Sequence, residues 1–306
     1  MRRSLLPVLV GARLSVVALG AHDVRSRGRG RVRAVGLRAK DSRAQPAWIS
    51  PSALLHCGVV RALHRHGKQL AIEAADGRVL VIQLGMSGQV LLEAAGARPV
   101  PDTHRHIEWL IRSSSGHDAR LVFRDPRRFG GVHPAGSMID LRANAWRDLG
   151  PDALGIAGAQ LALRCAGSRA IKIALLDQAV LAGVGNIYAD EALFRARISP
   201  VQAANRLSRQ QFVRLAAALR AVLRAAIARG GSTLRDHRSA LGELGTAQAR
   251  HRVYGRSGLP CFRCRATIRS IRLGGRTTAF CPACQRVTTN LTKSAAAGAR
   301  PSSRRR

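Results

Sequence analysis

Apolar and polar residues alternate in short runs over the first 140 residues of the chain. The runs lie at residues 12–19, 31–37, 59–64, 69–73, 79–84, 90–93, 106–112 and 119–123. A two-residue period gives a strand one apolar face. Short runs at this spacing, separated by glycine-containing turns, predict an antiparallel β-sandwich at residues 1–140, opening with a helix and then a strand.

From residue 141 onward the apolar residues recur at three- and four-residue spacing, which is typical of helices. This period predicts helices at residues 170–181, 187–197, 208–229 and 233–237. Ser208 is a suitable N-cap for the longest helix, and Gly230 a suitable C-cap. Between the two regions, residues 125–131 contain a proline and two glycines and are predicted to form a loop.

Two Cys-x-x-Cys pairs lie near the end of the chain, with sixteen residues between them; they comprise Cys261, Cys264, Cys281 and Cys284. Four thiolates at this spacing can surround one zinc ion tetrahedrally. Two disulfides or a redox pair are the alternatives, but a redox motif needs a thioredoxin-like βαβ context. A closed four-cysteine site leaves the metal no open position, so we expect one structural zinc ion and chemistry elsewhere.

Residues 268–280, between the two cysteine pairs, form two short β-like runs joined by Gly274-Gly275. They predict a hairpin with Arg272 and Arg276 near its tip. Arginines at such a tip can reach a phosphate backbone, although on an isolated ribbon they can equally be solvated.

The formal charge of the chain is +34, with 51 basic and 17 acidic residues. This excess favours a polyanionic partner. Only four of the basic residues are lysines, namely Lys40, Lys68, Lys172 and Lys293. A bias toward arginine and alanine can reflect nucleotide composition, so the total charge is discounted, whereas the scarcity of lysine makes each lysine informative.

The cellular compartment is predicted from the cysteines and from the first residues. Cys57 and Cys165 lie outside the zinc motif and are expected to be buried thiols in a reducing compartment. The basic start and the apolar run to Ala21 imitate a signal peptide, but Pro7 and Arg13 interrupt them. No apolar stretch approaches the ~18 residues of a membrane span. We therefore expect a cytoplasmic, nucleoid-associated protein without a signal peptide or a membrane span.

The loop at residues 181–189 enters its predicted helix through Gly183 and Gly185. A glycine-rich turn before a helix exposes backbone N–H groups and the positive end of the helix dipole, which suits a phosphate. The same turn also closes many ordinary helix corners. Together with the hairpin arginines, it predicts a clamp for phosphate.

Several motifs now stand in a characteristic order: Leu-Gly-Met-Ser-Gly at 84–88, Asp-Pro-Arg-Arg-Phe-Gly at 125–130, Gly-Val-Gly-Asn-Ile-Tyr-Ala at 183–189, Val-Tyr-Gly-Arg at 253–256, and the cysteine pairs. In this order they resemble the formamidopyrimidine-DNA glycosylase and endonuclease VIII family of base-excision repair enzymes, from residue 2 to about 286. The resemblance implies an α+β multidomain protein: an N-terminal β-sandwich at 1–140, a helix-two-turn-helix domain at 141–250, and a zinc-ribbon hairpin at 251–290. Residues 291–306 are a basic, low-complexity tail, expected to be disordered.

The resemblance also implies roles for individual residues. Asn186 and Arg276 match the family residues that bind the phosphate beside the lesion, although Asn186 can also be a helix N-cap. Lys68 matches the lysine that contacts phosphate at the damaged nucleotide, although a lone exposed lysine is usually only solvated. Met86, Arg127 and Phe129 match the trio that fills the hole left by the flipped base; Met86 and Phe129 can also be core residues.

The chain departs from the family at its start. Family members open with a Pro-Glu-Leu-Pro-Glu-Val-Glu segment whose N-terminal proline amine attacks the sugar; here Met1-Arg2-Arg3 aligns just after it. Either the start was assigned too far downstream, or the chain is a paralogue that binds damaged or abasic DNA without excising the base. Without the segment we expect Lys68 to be the remaining catalytic amine and base excision to be poor.

The expected function is a DNA glycosylase with abasic-site lyase activity on oxidised bases, with damaged double-stranded DNA as the partner of a monomer. Oxidised purines are the expected lesions, although zinc-finger relatives of the endonuclease VIII branch act on pyrimidines. Residues 242–248 lack an aromatic that the family carries after the glycine of its base-recognition loop. The residues alone leave the preferred lesion open. A zinc-ribbon module for RNA or for transcription is a third class, but it would not explain the motifs at 125–130 and 183–189.

Overall fold

The computed structural model of the chain describes residues 1–19, 50–94, 96, 104–113, 116, 118–233 and 238–287. The strand predicted at 31–37 and most of the helix predicted at 233–237 lie outside these residues. Within them, no helix is both long and apolar enough to cross a membrane.

Two four-stranded antiparallel sheets pack face to face in the N-terminal part of the chain. The first has the strand order β1-β6-β7-β5 and the second β2-β3-β4-β8. The bounds are β1 Arg13–Leu19, β2 Val60–His66, β3 Gln69–Ala74, β4 Val79–Gln83, β5 Gln89–Ala94, β6 Arg105–Arg112, β7 Asp118–Arg124 and β8 Gly131–Ala135. Their inner faces share one buried core, which helix α1 (Arg2–Leu9) closes with Leu5 and Leu9. The predicted sandwich, with its opening helix and strand, is confirmed.

The outer face of the second sheet is also buried, so β3 and β4 do not alternate in exposure. Helix α2 (Met138–Ala143) covers this face through Leu141. Strand β8 was not predicted, and it contains Pro134, which has no backbone N–H to donate. It is tolerated since β8 lies at the edge of its sheet.

Four helices form the second domain around their own core: α3 Gly158–Arg164, α4 Ile171–Leu176, α5 Asn186–Ala196 and α6 Arg209–Ala228. Helix α6 begins with a capping box in which Ser208 and Gln211 exchange hydrogen bonds, as the N-cap prediction requires. The helix predicted at 170–181 ends earlier, at Leu176. Its C-cap Asp177 has an extended backbone, and its carboxylate accepts a hydrogen bond from the amide of Ala179, which stabilises a turn instead.

The last two strands that the structure describes form the predicted hairpin. Strands β9 (Arg269–Leu273) and β10 (Arg276–Phe280) pair antiparallel. Gly274 and Gly275 both have positive φ, at 56° and 73°. A two-residue hairpin turn whose twist matches that of its strands requires positive φ at both positions. The turn carries Arg276 at one end of the hairpin, and the cysteine pairs flank the other end.

Candidate functional site

The tip of the β2–β3 hairpin packs against the glycine-rich loop that precedes α5. A Cβ atom on Gly67 would lie 2.8 Å from the Cβ of Ala182 and 3.1 Å from the amide nitrogen of Gly183. Only glycine fits there, and its φ of 55° also favours glycine. This contact brings the next residue, Lys68, to the start of α5: its amino nitrogen lies 3.8 Å from where a Cβ on Gly185 would be.

Asp152 fixes this hairpin tip to the helical domain. Its carboxylate accepts hydrogen bonds from Arg65 Nη1 and Nη2 at 2.5 and 2.9 Å, and from the amides of Gly67 at 2.8 Å and Leu154 at 3.0 Å. Burial opposes ionisation of Asp152, but these donors outweigh it and lower its pKa. The position of Lys68 therefore depends on a carboxylate from the other domain.

The amino group of Lys68 has an unusual electrostatic environment. Lys68 is exposed where the hairpin tip, the start of α5 and Arg276 of the finger come together, a site here called the cleft, yet protein atoms from both domains crowd its ammonium group. The resulting loss of hydration, together with the positive charge of Arg276, lowers its pKa to about 8. A larger fraction of this amine is therefore unprotonated near neutral pH than in an ordinary lysine.

Asn186 is the first residue of α5, and its side chain does not cap the helix; the N-cap is Gly185, which has no side-chain acceptor. Instead, Asn186 Nδ2 donates a hydrogen bond to the carbonyl of Thr277 on β10 at 3.0 Å. The Oδ1 atom is buried without a hydrogen-bond partner among the described residues. The N-cap alternative for Asn186 is therefore wrong, and the first-turn amides of α5 have no side-chain cap.

A buried ion pair holds β10 against the helices. Lys172 Nζ lies 2.6 Å from Asp190 Oδ1, and both side chains are inaccessible to solvent. Lys172 also donates to Thr278 Oγ1 at 2.8 Å, and Asp190 Oδ2 accepts from the amide of Ala279 at 3.0 Å. Burial lowers the pKa of Lys172 and raises that of Asp190, while their mutual attraction opposes both shifts. The pair fixes the strand that begins with Arg276.

Two loops of the sandwich, at 84–88 and 125–130, pack backbone against backbone. A Cβ on Gly85 would lie 2.5 Å from the carbonyl atoms of Phe129, so only glycine permits the contact. Asp125 is buried between the loops and accepts hydrogen bonds from Ser87 Oγ at 2.5 Å and from the amide of Gly130 at 2.6 Å. These contacts fix the backbone on both sides of the predicted trio.

Met86 and Phe129 project from these loops and are 55% and 47% exposed. They are therefore not core residues. The guanidinium carbon of Arg127 lies 5.1 Å from the centre of the Phe129 ring, within cation–π range. The structure thus presents two large apolar side chains and one cation on a braced surface.

The four predicted zinc ligands come together in one cluster. The sulfur atoms of Cys261, Cys264, Cys281 and Cys284 all lie within 4.8 Å of one another. Tetrahedral ligation at a Zn–S distance of ~2.3 Å gives an S–S separation of ~3.8 Å, so the cluster fits one zinc ion. None of the six cysteines is in a disulfide, which excludes that alternative.

The two cysteines outside the cluster differ in exposure. Cys165 is buried, as expected, and burial raises its pKa to about 11. The same expectation for Cys57 is wrong. It lies in a left-handed turn before β2, with φ of 61°, and is exposed.

Sequence reasoning missed the residues that connect the domains. Arg65 and Asp152 are 87 residues apart in the chain, and Asp190 is 89 residues from Ala279, so no local pattern marks these contacts. The composition held two signals for these contacts. Lysines are scarce, which singles out Lys172, and the chain has only 17 acidic residues against 51 basic ones. An acidic residue in such a chain is a strong candidate for a specific ion pair.

The fold and the cysteine cluster define a class: a two-domain protein with a β-sandwich, a helix-two-turn-helix domain and a zinc-finger hairpin. The family comparison agrees with this class. Residues 1–132 match the formamidopyrimidine-DNA glycosylase N-terminal domain, 149–238 the H2TH domain of the same enzymes, and 258–287 the zinc finger found in FPG and IleRS. The chain belongs to the formamidopyrimidine-DNA glycosylase family.

Individual relatives agree with the family match. The formamidopyrimidine-DNA glycosylase of Beijerinckia indica is 40% identical over 93% of this chain and 96% of its own length. That of Cereibacter sphaeroides is 41% identical over 81% of this chain and 91% of its own. The similarity therefore extends through both domains and the finger.

Solved structures show the same architecture. The MutM (Fpg) protein of Thermus thermophilus has a TM-score of 0.73 and 36% identity, covering 94% of this chain and 97% of its own. The Lactococcus lactis Fpg, solved with DNA that contains an abasic site, has a TM-score of 0.75 and 28% identity, covering 93% and 96%.

Proposed function

We propose that this chain is a DNA glycosylase with abasic-site lyase activity that removes oxidised bases, chiefly oxidised purines, from duplex DNA. The observation that carries the proposal is the convergence of Lys68, Asn186 and Arg276 from three parts of the chain at the start of α5. Its curated relatives are named for formamidopyrimidine. A mutant of the Lactococcus lactis enzyme was solved with Fapy-dG DNA, and the wild-type enzyme with DNA that contains an oxidised pyrimidine. All three side chains come from one chain, which favours a monomer.

Phosphate binding follows from the charges at this point. The amides at the start of α5 and the positive end of its dipole favour an anion. Arg276 adds a guanidinium from the finger, and Asn186 adds a side-chain amide. A phosphate of the damaged strand would therefore be contacted from the helical domain and the finger together, with Lys68 on the sandwich side.

Base removal needs the damaged nucleotide to leave the stack, because its reacting atoms are inaccessible inside a duplex. Met86 and Phe129 are exposed, and Arg127 lies between them in the chain. These two apolar side chains and one guanidinium group would fill the gap that the flipped nucleotide leaves in the base stack. The packed loops that carry them keep these side chains in place, which lowers the cost of ordering them on binding.

Lyase chemistry needs an amine that is partly unprotonated, and Lys68 meets this condition. Its neutral amine would attack C1′ of the ring-opened abasic sugar, and the carbonyl oxygen would leave as water. The iminium that forms withdraws electrons, so a proton can leave C2′ while the C3′–O bond breaks and the phosphate departs. The zinc ion, when bound by the four cysteines, would hold the finger folded and take no part in these steps.

Borohydride trapping on an abasic duplex tests this assignment. The iminium is reduced to a stable cross-link, so an active Lys68 gives a covalent protein–DNA band. Lys68→Arg keeps a positive charge for phosphate but cannot form the iminium, whereas Lys68→Ala removes both functions. We expect both variants to lose the lysine cross-link and Lys68→Arg to retain most of the DNA affinity. A peptide map of the wild-type adduct that lacks Lys68 would show that another amine performs the reaction.

A further inference from the structure

A cavity of about 440 Å³ lies on another side of the helical domain. Its walls come from one side of α5, the C-terminal half of α6, the segment at 247–252 and the first Cys-x-x-Cys turn. This turn is at the base of the β9–β10 hairpin. Each strand has five residues, so the base is roughly 15 Å from the tip that carries Arg276. Tyr188, two residues after Asn186 in the first turn of α5, also lines the cavity, but Lys68, Asn186 and Arg276 do not. The cavity therefore shares none of the three proposed phosphate-binding side chains.

We call this cavity the knuckle pocket, after the Cys-x-x-Cys turn, or zinc knuckle, that forms one of its walls. The pocket is strongly positive. Five arginines line it: Arg195, Arg229, Arg250, Arg252 and Arg263. None of their guanidinium groups forms an ion pair with any residue that the structure describes. Several like charges around one concave surface raise the local concentration of an anion.

One acidic residue, Glu191, lines the same pocket, but its oxygens are already used. Oε1 accepts hydrogen bonds from the amides of Arg252 at 3.0 Å, Val253 at 2.9 Å and Tyr254 at 2.9 Å. Oε2 accepts a further one from the amide of Arg252 at 2.9 Å. The carboxylate thus anchors the backbone that leads to the finger, and one negative charge faces five positive ones.

Aromatic groups lie among these arginines. Phe262 is 58% exposed, and the guanidinium carbons of Arg256 and Arg252 lie 3.5 Å and 5.1 Å from its ring centre. Hydrogen bonds from Arg256 to the carbonyls of Arg252 and Pro260, both 3.1 Å, hold that guanidinium in place. On the inner side, Arg263 lies 4.9 Å from the ring of Phe194. Flat groups of this kind stack with nucleobases, and arginines interleaved with them bind phosphates.

We propose that the knuckle pocket is a second nucleotide-binding site, with the phosphate held by the arginines and the base stacked on Phe262 and its guanidinium neighbours. The apolar part of the wall, from Phe194, Ala221 and Val222, suits a ligand with a flat body better than a bare phosphate. The nucleotide is either free or part of an unpaired strand, because bases in a duplex already stack on each other. This site goes beyond the proposed function, since it uses no residue of the cleft.

Binding is measured with the cleft already filled. The full chain is saturated with a duplex that contains a tetrahydrofuran abasic analogue, and fluorescent oligothymidylate of about eight nucleotides is added, a length within the usual single-strand site sizes. Deoxyadenosine monophosphate and inorganic phosphate serve as competitors. Arg195→Ala/Arg250→Ala removes two exposed arginines whose side chains form no hydrogen bond or ion pair with the described residues, and Arg206→Ala/Arg209→Ala removes the same charge at the far end of α6.

We expect a ternary complex whose oligothymidylate affinity falls at least tenfold in Arg195→Ala/Arg250→Ala, the scale of losing charged hydrogen bonds. The Arg206→Ala/Arg209→Ala control should remain within twofold of wild type, and duplex affinity should not change. Displacement of the oligothymidylate by deoxyadenosine monophosphate at lower concentrations than by unlabelled oligothymidylate would identify a free nucleotide as the preferred ligand. Absence of a ternary complex, equal losses in both variants, or equal competition by phosphate and deoxynucleotide would overturn the proposal.

Discussion

The side-chain amide of Asn186 donates a hydrogen bond to the carbonyl of Thr277 across 3.0 Å, and so joins the first turn of α5 to the strand that begins with Arg276. The finger and the helical domain therefore have a fixed relation at the point where each presents a phosphate-binding group. The buried ion pair of Lys172 and Asp190 also holds this strand against the helices. This contact supports the proposal that both groups bind one phosphate.

The first prediction concerns this phosphate clamp. Asn186→Ala and Arg276→Ala should each weaken binding to a duplex with an abasic analogue by about 1–3 kcal/mol, because each removes a hydrogen bond to a charged phosphate. Fluorescence anisotropy at fixed salt measures the effect. Arg269→Ala, at the other end of the hairpin, serves as the control and should change affinity little. Unchanged affinity in both clamp variants would remove the reason for placing DNA between the domains.

Arg127→Ala should behave differently, because Arg127 is expected to fill the space of the flipped base and not to hold the backbone. Its loss should weaken binding to damaged duplex more than binding to the same damaged strand without its complement, since only a duplex leaves a hole in a base stack. Equal losses on the two substrates would assign Arg127 to the backbone instead.

The pKa of Lys68 can be read directly, because the chain has only four lysines. After reductive ¹³C-methylation, NMR titration should show one dimethyl-lysine signal with a midpoint near pH 8, below the usual range. Arg276→Ala should raise this pKa, because the neighbouring positive charge disfavours the ammonium form. Binding of an abasic duplex should raise it too, since phosphate favours that form. A midpoint near 10 in the free protein would contradict the assigned environment.

The metal site gives a further prediction. Chelation, or Cys264→Ser, should unfold the finger and weaken DNA binding while the N-terminal sandwich stays folded, because metal binding and folding are coupled in such modules. Cys57→Ser is the matched control, since this thiol is exposed and remote from the cluster. Finding no stoichiometric zinc in the purified protein would refute the assignment.

Local sequence patterns were sufficient to predict a structure where the residues that determine it all lie in one short segment. The cysteine spacing, the Gly274-Gly275 turn and the Ser208 capping box each predict a structure that forms within a few residues, and the structure contains all three. The roles of the motif residues of the cleft rest on the resemblance to a family and stay predictions.

Predictions failed where the deciding contact is distant or the local signal misleads. The pattern of β3 gave no sign that α2 covers its outer face, and Pro134 concealed an edge strand. Asp152 and Arg65 are 87 residues apart in the chain, so their ion pair depends on how the two domains pack. The turn at Asp177 ended a helix whose apolar period continued, because a side-chain acceptor competed with the helical hydrogen bonds.

Base release from defined duplexes tests the central claim most directly. The full natural protein is incubated with duplexes that carry one formamidopyrimidine, one oxidised pyrimidine or no lesion, and the freed base and the strand break are measured separately. The account predicts fastest release from the formamidopyrimidine duplex, with a coupled strand break, and no release from undamaged DNA. Tight binding to the damaged duplexes with no base released from either would contradict it, and would identify a protein that recognises damage without excising the base.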